Sequence, residues 1–136
     1  MSDALACSIS ALAAEAGRLA LGKWRGDFGQ WEKSPGNPVS EVDIAVDTML
    51  REELRRIDPD AGWLSEETTD TADRLMHSRV WVVDPIDGTR DFVRGRRGWC
   101  ISIALVEAGR VIIGVLDAPA RDEHWRASLG GGAFRN

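Results

Sequence analysis

The run VWVVDPIDGTRDF, residues 80–92, constrains this chain more than any other stretch. An apolar, β-prone segment leads without a spacer into Asp84 and Asp87, and Gly88 and Thr89 follow at once. A core strand gains nothing by ending on two carboxylates, and like charges this close repel unless a cation sits between them. Asp-Pro and Asp-Gly are also common turn openers, so the string alone fits a plain loop. Three additions shift the balance: the strand in front, the threonine after the glycine, and the Glu66-Glu67 pair that ends a second strand candidate, AGWLSEE. If the two strands are neighbours, their C-terminal ends bring Glu66, Asp84 and Asp87 to one place. Hard oxygen ligands of this kind suit Mg²⁺. Ile86 cannot ligate through its side chain, but its carbonyl can. Gly88 lacks a Cβ, so a ligand can approach the backbone there, and Gly88 with Thr89 opens a short helical segment whose free N–H groups form an anion site. The Thr89 hydroxyl can orient a water whose proton a nearby carboxylate takes. The expectation is a metal with a phosphate on its far side. Zinc is not favoured, since His77 and His124 are isolated and neither stands at ligand spacing with a cysteine.

At 136 residues the chain is long enough for one domain with a real core. A formal charge of −5 argues against a nucleic-acid polymer as partner. It does not exclude a small anionic substrate, because bound metal ions reverse the local sign. Cys7 and Cys100 lie far apart in apolar patterns and are expected as buried thiols in a reducing compartment, hence in the cytoplasm. The N-terminal stretch is apolar but carries Asp3, Glu15 and Arg18 and lacks a basic leading segment, so neither a signal peptide nor a membrane partner is expected.

Apolar spacing predicts an amphipathic helix over residues 3–24, then a turn-rich stretch, GDFGQWEKSPGNP, and a second helix capped by Ser40. Asp58-Pro59-Asp60 stops that helix. TTDTADRLMHS reads as a polar link, and RVWVVD as a strand. WCISIALVEAGRVIIGVLDAP reads as two strands around Glu107-Ala108-Gly109-Arg110, with EHWRAS as a third candidate. Two helices followed by a largely antiparallel sheet make an α+β layered fold. Successive strands at the end of the chain leave a sheet edge without an evident cover.

Several residues have plain structural readings. Asp43 stands three residues after Ser40, where a capping-box acid belongs. Arg90, Arg94, Arg96 and Arg97 fit a solvated face, and they also add positive charge near the phosphate loop or at a dimer surface. Trp63, Trp81 and Trp99 read as core, and Cys100 and His124 as structural.

LSEE at 64–67 together with WVVDPIDGTRDF at 81–92 resembles the inositol monophosphatase family of Mg²⁺-dependent, lithium-sensitive phosphatases, and the D-P-[IL]-D-G-T motif is highly specific for that group. EKSPGNPVSEVD and GVLDAPARDEHWRASLGGGAF extend the resemblance over nearly the whole chain. It implies the layered sugar-phosphatase fold, with Mg²⁺ held by Glu66, Asp84, the Ile86 carbonyl and Asp87. It further implies catalysis by water that Glu66 and Thr89 position, Asp43 accepting a hydrogen bond from Thr89. Asp87, Gly88 and Thr89 would hold the substrate phosphate. Lys33 matches the family's loop lysine, and Glu67 would stand behind the ligands. Family members are about twice as long, with a Trp-Asp-x-Ala-type motif in the second half, and no Trp-Asp pair occurs here. The resemblance therefore covers the N-terminal, metal-binding half. The expected substrate is a small phosphorylated metabolite of the inositol monophosphate kind, and a homodimer is compatible. A 3′(2′),5′-bisphosphate nucleotidase and a histidinol-phosphate phosphatase are the alternatives within the group. A non-catalytic, metal-binding half-domain is the alternative of another class.

Overall fold

The computed structural model describes residues 3–136. Its first helix, α1 (Asp3–Lys23), presents Ile9, Leu12, Ala13, Ala16 and Ala20 to the core, the spacing of one helical face. Alanines on that face allow close approach. Gly17 goes further, since a Cβ there would lie 1.8 Å from Asp117 Oδ2. By length and composition the segment Ala4–Lys23 is also apolar enough to cross a membrane, with 33% of it buried here. Core helices of folded domains meet the same test.

The turn-rich stretch after α1 is a small antiparallel hairpin, β1 (Gln30–Ser34) and β2 (Asn37–Ser40), where the sequence predicted turns alone. Its strands are short and β1 is wholly exposed, so no apolar alternation marks them. Helix α2 (Glu41–Ile57) follows, capped by Ser40 as expected. Asp43 closes a capping box with Ser40, and Val42, Val46, Leu50 and Leu54 face inward.

The remaining strands form one sheet in chain order: β3 (Gly62–Ser65), β4 (Arg79–Asp87), β5 (Cys100–Glu107), β6 (Arg110–Ala118), β7 (Glu123–Ser128) and β8 (Gly132–Arg135). β3 and β4 are parallel and all other neighbours antiparallel, which makes the fold α+β as the sequence indicated. Ala108 and Gly109, both at positive φ, make the tight turn between β5 and β6. The terminal GAFR strand, β8, is not evident in the sequence, because its exposed residues carry no alternation of burial. Both helices lie on one face of the sheet. Trp81, Val83, Ile101, Ile103, Leu105, Ile113 and Val115 point toward them and form the core with Trp99 and Phe92. Phe92 and Trp99 meet edge-on, centroids 4.9 Å apart. On the opposite face Val82, Asp84 and Ala104 are half-buried, and Leu116 and Trp125 are exposed.

His124 is structural, in line with its reading. Its Nδ1 lies 2.7 Å from Asp117 Oδ1 and its Nε2 2.6 Å from Ser10 Oγ, clamping α1 onto β6 and β7. The cysteines correct one expectation. Both are unpaired thiols, but Cys7 is exposed, on the side of α1 away from the sheet, and only Cys100 is partly buried.

Candidate metal and phosphate site

The parallel pairing of β3 with β4 decides where the acidic side chains go. Ser65 is in register with Val83, so Glu66 follows one strand end beside Asp84 on the other, and the Glu66 amide bonds to the Val83 carbonyl at 3.3 Å. Beyond Asp84 the β4–β5 register shifts before Asp87 pairs with Cys100. Gly88 then turns the chain through a left-handed conformation (φ 89°, ψ 39°) into the five-residue helix α3 (Thr89–Val93).

A cleft of about 230 Å³ opens at these strand ends, lined by Glu66, Glu67, Asp84, Ile86, Gly88 and Thr89 from the sheet side. Lys33, Gly36 and Arg90 line the other side. Of the residues expected at the site, Asp87 is exposed and faces the adjoining cleft with Trp99, Cys100 and Arg121. Asp43 lies directly behind Thr89.

Asp43 serves two purposes at once. It is 1% exposed. Its Oδ2 accepts the Ser40 amide at 2.8 Å and the Ser40 hydroxyl at 2.5 Å, while Oδ1 accepts the Thr89 hydroxyl at 2.7 Å. The capping role and the Thr89 contact therefore coexist on separate oxygens. Thr89 Oγ1 also lies 3.0 Å from the Ile86 carbonyl. Having one proton, the hydroxyl gives it to the charged, closer Asp43 oxygen.

The electrostatics of the cleft run one way. Burial first, then the charges of Asp87, Glu66, Glu67 and Asp43, push the Asp84 carboxyl up to about 7. Burial raises Glu67 as well, against the opposing pull of Lys33. Cys100 rises to about 11, through burial and then Asp87 and Asp84. Burial disfavours the Lys33 ammonium, yet its hydrogen bond to Glu67 and the charges of Glu67, Glu66 and Asp84 outweigh this and raise it. Acid, thiol and amine alike hold their protons harder than in water. For Asp84, Glu67 and Cys100 burial is the larger cause, and the neighbouring carboxylates add to it. Lys33 supplies positive charge, 3.0 Å from Glu67 and 3.8 Å from Glu66. The donor set is hard oxygen, so the residues present fit a divalent cation such as Mg²⁺. Among the described residues no three His, Cys, Asp or Glu side chains already converge as a ready cage. Glu66, Glu67 and Asp84 line the cleft, Asp87 faces the adjoining one, and Glu66 leans toward Lys33.

Gly88 lines the cleft, and its own turn also requires glycine. The space beside its Cα is filled by the protein's own backbone: a Cβ would lie 2.3 Å from the Gly98 carbonyl oxygen and 3.2 Å from Trp99 Cα. Together with the positive φ, this makes glycine obligatory for the turn that presents Thr89. Gly88→Ala is expected to destabilise the fold by at least about 2 kcal/mol, roughly 6–10 °C in Tm by calorimetry. An unchanged Tm contradicts this turn geometry.

Arg90, Arg25 and Asp47 have roles here that the sequence does not display. Arg90 Nη2 donates to the Gly36 carbonyl at 2.5 Å and so ties the Lys33 hairpin to α3. Of the other basic residues nearby, Arg25 donates to the Gly95 carbonyl at 3.0 Å and stacks on Trp24. Asp47, buried on α2, accepts hydroxyl protons from Ser65 and Thr68 on either side of Glu66-Glu67. A serine or threonine beside a glutamate pair carries no signal in sequence that a helix elsewhere will hold it.

Comparison with known proteins shows the family and the fold. The sequence model of the inositol monophosphatase family matches residues 1–136. A histidinol-phosphatase of Mycobacterium tuberculosis is 44% identical over 97 residues, covering 71% of this chain and 36% of the relative. A fructose-1,6-bisphosphatase/inositol-1-monophosphatase of Thermotoga maritima is 40% identical over 123 residues, covering 88% and 46%. Among solved structures, the extragenic suppressor protein suhB of Bartonella henselae superposes with a TM-score of 0.90 at 30% identity, covering 98% of this chain and 52% of that one. An IMPase of Thermotoga maritima superposes with a TM-score of 0.81 at 36% identity, covering 94% and 49%. The chain thus spans about half the length of the solved structures it matches, and less than half that of these curated relatives.

Proposed function

The chain belongs to the inositol monophosphatase family, and from that premise we propose that it forms the metal- and phosphate-holding portion of a Mg²⁺-dependent phosphomonoesterase acting on a small phosphorylated metabolite. The observation that carries this reading is the carboxylate-lined cleft at the ends of β3 and β4, with a Thr89 hydroxyl bonded to buried Asp43 at its edge. Glu66, Asp84, the Ile86 carbonyl and Asp87 would hold Mg²⁺. When bound, the ion supplies charge neutralisation of the phosphate and acidification of water.

The residues of the chain then divide the remaining work. Thr89, its own proton committed to Asp43, has lone pairs free to accept a hydrogen bond from the attacking water and so to aim it. Asp43 accepts the Thr89 hydroxyl hydrogen bond, so it can take that proton as the threonine oxygen takes one from the water. Glu66 faces the open cleft and is placed to orient the same water. Backbone amides of Gly88 and Thr89 are the expected contacts of the phosphate. The water oxygen bonds to phosphorus as its proton passes to Thr89, the ester P–O bond breaks, and the leaving alkoxide takes a proton from solvent, giving an alcohol and inorganic phosphate. A cytoplasmic setting goes with this reading, supported by two unpaired thiols.

Phosphate release tests it, assayed with and without Mg²⁺ on inositol 1-phosphate, histidinol phosphate and a 3′,5′-bisphosphonucleotide. The expected result is Mg²⁺-dependent release from at least one ester, and the preferred ester names the substrate class. Mg²⁺ binding with no release from any of them supports the non-catalytic half-domain instead. Neither binding nor release overturns both readings.

A further inference from the structure

Asp47 is 7% exposed and sits on α2 one helical turn beyond Asp43. Among the described residues it has no cationic partner. Its carboxylate is held by two hydroxyls: Ser65 donates to Oδ1, and Thr68 donates to Oδ2 at 2.6 Å. Ser65 Oγ in turn accepts the Glu67 amide at 3.2 Å. The chain is therefore fastened to Asp47 immediately before Glu66 and again two residues after it. One turn earlier on the same helix, Asp43 fastens Thr89 at the end of the neighbouring strand. Side chains four apart lie on one helix face, so α2 spaces the two strand ends with two successive carboxylates.

Stability does not explain this arrangement. A buried carboxylate held only by hydroxyls loses its hydration, and an apolar side chain of similar volume avoids that penalty. What the network fixes is the short segment carrying Glu66, whose own side chain is exposed and, among the described residues, is held by the 3.8 Å contact with Lys33. We propose that Asp47 is a positioning residue, fastening the β3 end on both sides of Glu66 and so setting that carboxylate opposite Asp84 for divalent-cation binding. This inference rests on the metal-site reading above.

Calorimetric titration of Mg²⁺ into the full chain, alongside the metal-free Tm, tests it. Asp47→Leu is expected to weaken Mg²⁺ binding about 10–100-fold, the usual effect of removing a group that orients a ligand. Its metal-free Tm should fall by only a few degrees, the cost of leaving the Ser65 and Thr68 hydroxyls without their acceptor. Asp47→Asn, which keeps the size and one acceptor, is expected to restore most of the affinity. Should Asp47→Leu fail to fold, Ser65→Ala and Thr68→Val are each expected to weaken binding roughly 3- to 10-fold. A merely structural role predicts a different pattern, with Tm lowered and the Mg²⁺ affinity of the folded protein unchanged, and that result overturns the inference alone. Absence of Mg²⁺ binding by the wild-type chain overturns the metal-site reading and this inference with it.

Discussion

Asp84→Asn is expected to reduce phosphate release by about a thousand-fold or more, on whichever ester of the panel is hydrolysed, because removing one ligand charge forfeits several kcal/mol of metal-borne transition-state stabilisation at about 1.4 kcal/mol per tenfold. The same substitution is expected to stabilise the metal-free protein, which separates a ligand from a structural acid. The Asp84 carboxyl stands at about 7 against an ordinary value of 3.8, raised by burial and by Asp87, Glu66 and Glu67. The folded state therefore binds a proton that the unfolded state releases between pH 4 and 7. Stability linked to this group is fully present below the ordinary carboxylate range and is lost as pH rises through 7. Asp84 is half-buried, so solvent screening reduces the effect to roughly 1–2 kcal/mol, or several degrees in Tm. Metal-free wild type should lose that much between pH 5 and 8, whereas Asp84→Asn stays level across the range. Mg²⁺ should restore the wild type at pH 8 and leave the variant unmoved. A variant with normal turnover, or with a lower metal-free Tm at pH 8, contradicts the assignment.

Thr89→Val removes the hydroxyl while keeping the branched shape. Phosphate release is expected to fall about 10²- to 10⁴-fold, the range for losing a positioned proton-transfer group. Asp43 Oδ1 loses a donor at 1% exposure, so the fold should also weaken by roughly 1–3 kcal/mol. Mg²⁺ affinity should change little, since the Thr89 side chain belongs to the water-positioning pair rather than to the ligand set. Thr89→Ser, which returns the hydroxyl, should recover most of the activity and the stability. A valine variant that loses Mg²⁺ binding in step with activity contradicts this separation of roles.

The part of the candidate site that a sequence can display is the part whose residues are local. Asp84, Ile86, Asp87, Gly88 and Thr89 lie within six residues, and the β-prone run before them fixes the direction of the strand that delivers them. Helix α2 could be read from its stripe of Val42, Val46, Leu50 and Leu54 and from the Ser40 cap. The features that escaped depend on partners distant in sequence. Asp47 looks like any polar helix residue until Ser65 and Thr68, 18 and 21 positions away, are folded against it. The reason for Gly88 lies in Gly98 and Trp99, which close over it from the start of the next strand. The hairpin of β1 and β2 and the last strand β8 are exposed throughout most of their length, and exposed short strands have no burial pattern for a sequence to display. Cys7 misled for a related reason: an alanine-rich helix is apolar on its outer side as well, so composition does not tell which face the thiol takes.

Carboxylates from two adjacent strand ends are proposed to hold a divalent cation. The decisive measurement is anomalous scattering from a crystal of the chain grown with Mn²⁺ in place of Mg²⁺. An anomalous peak is expected in the cleft, within ligand distance of the carboxylates of Glu66 and Asp84 and of the Ile86 carbonyl oxygen. Mn²⁺ bound elsewhere, or Glu66 still turned to Lys33 at saturating metal with no peak in the cleft, contradicts it.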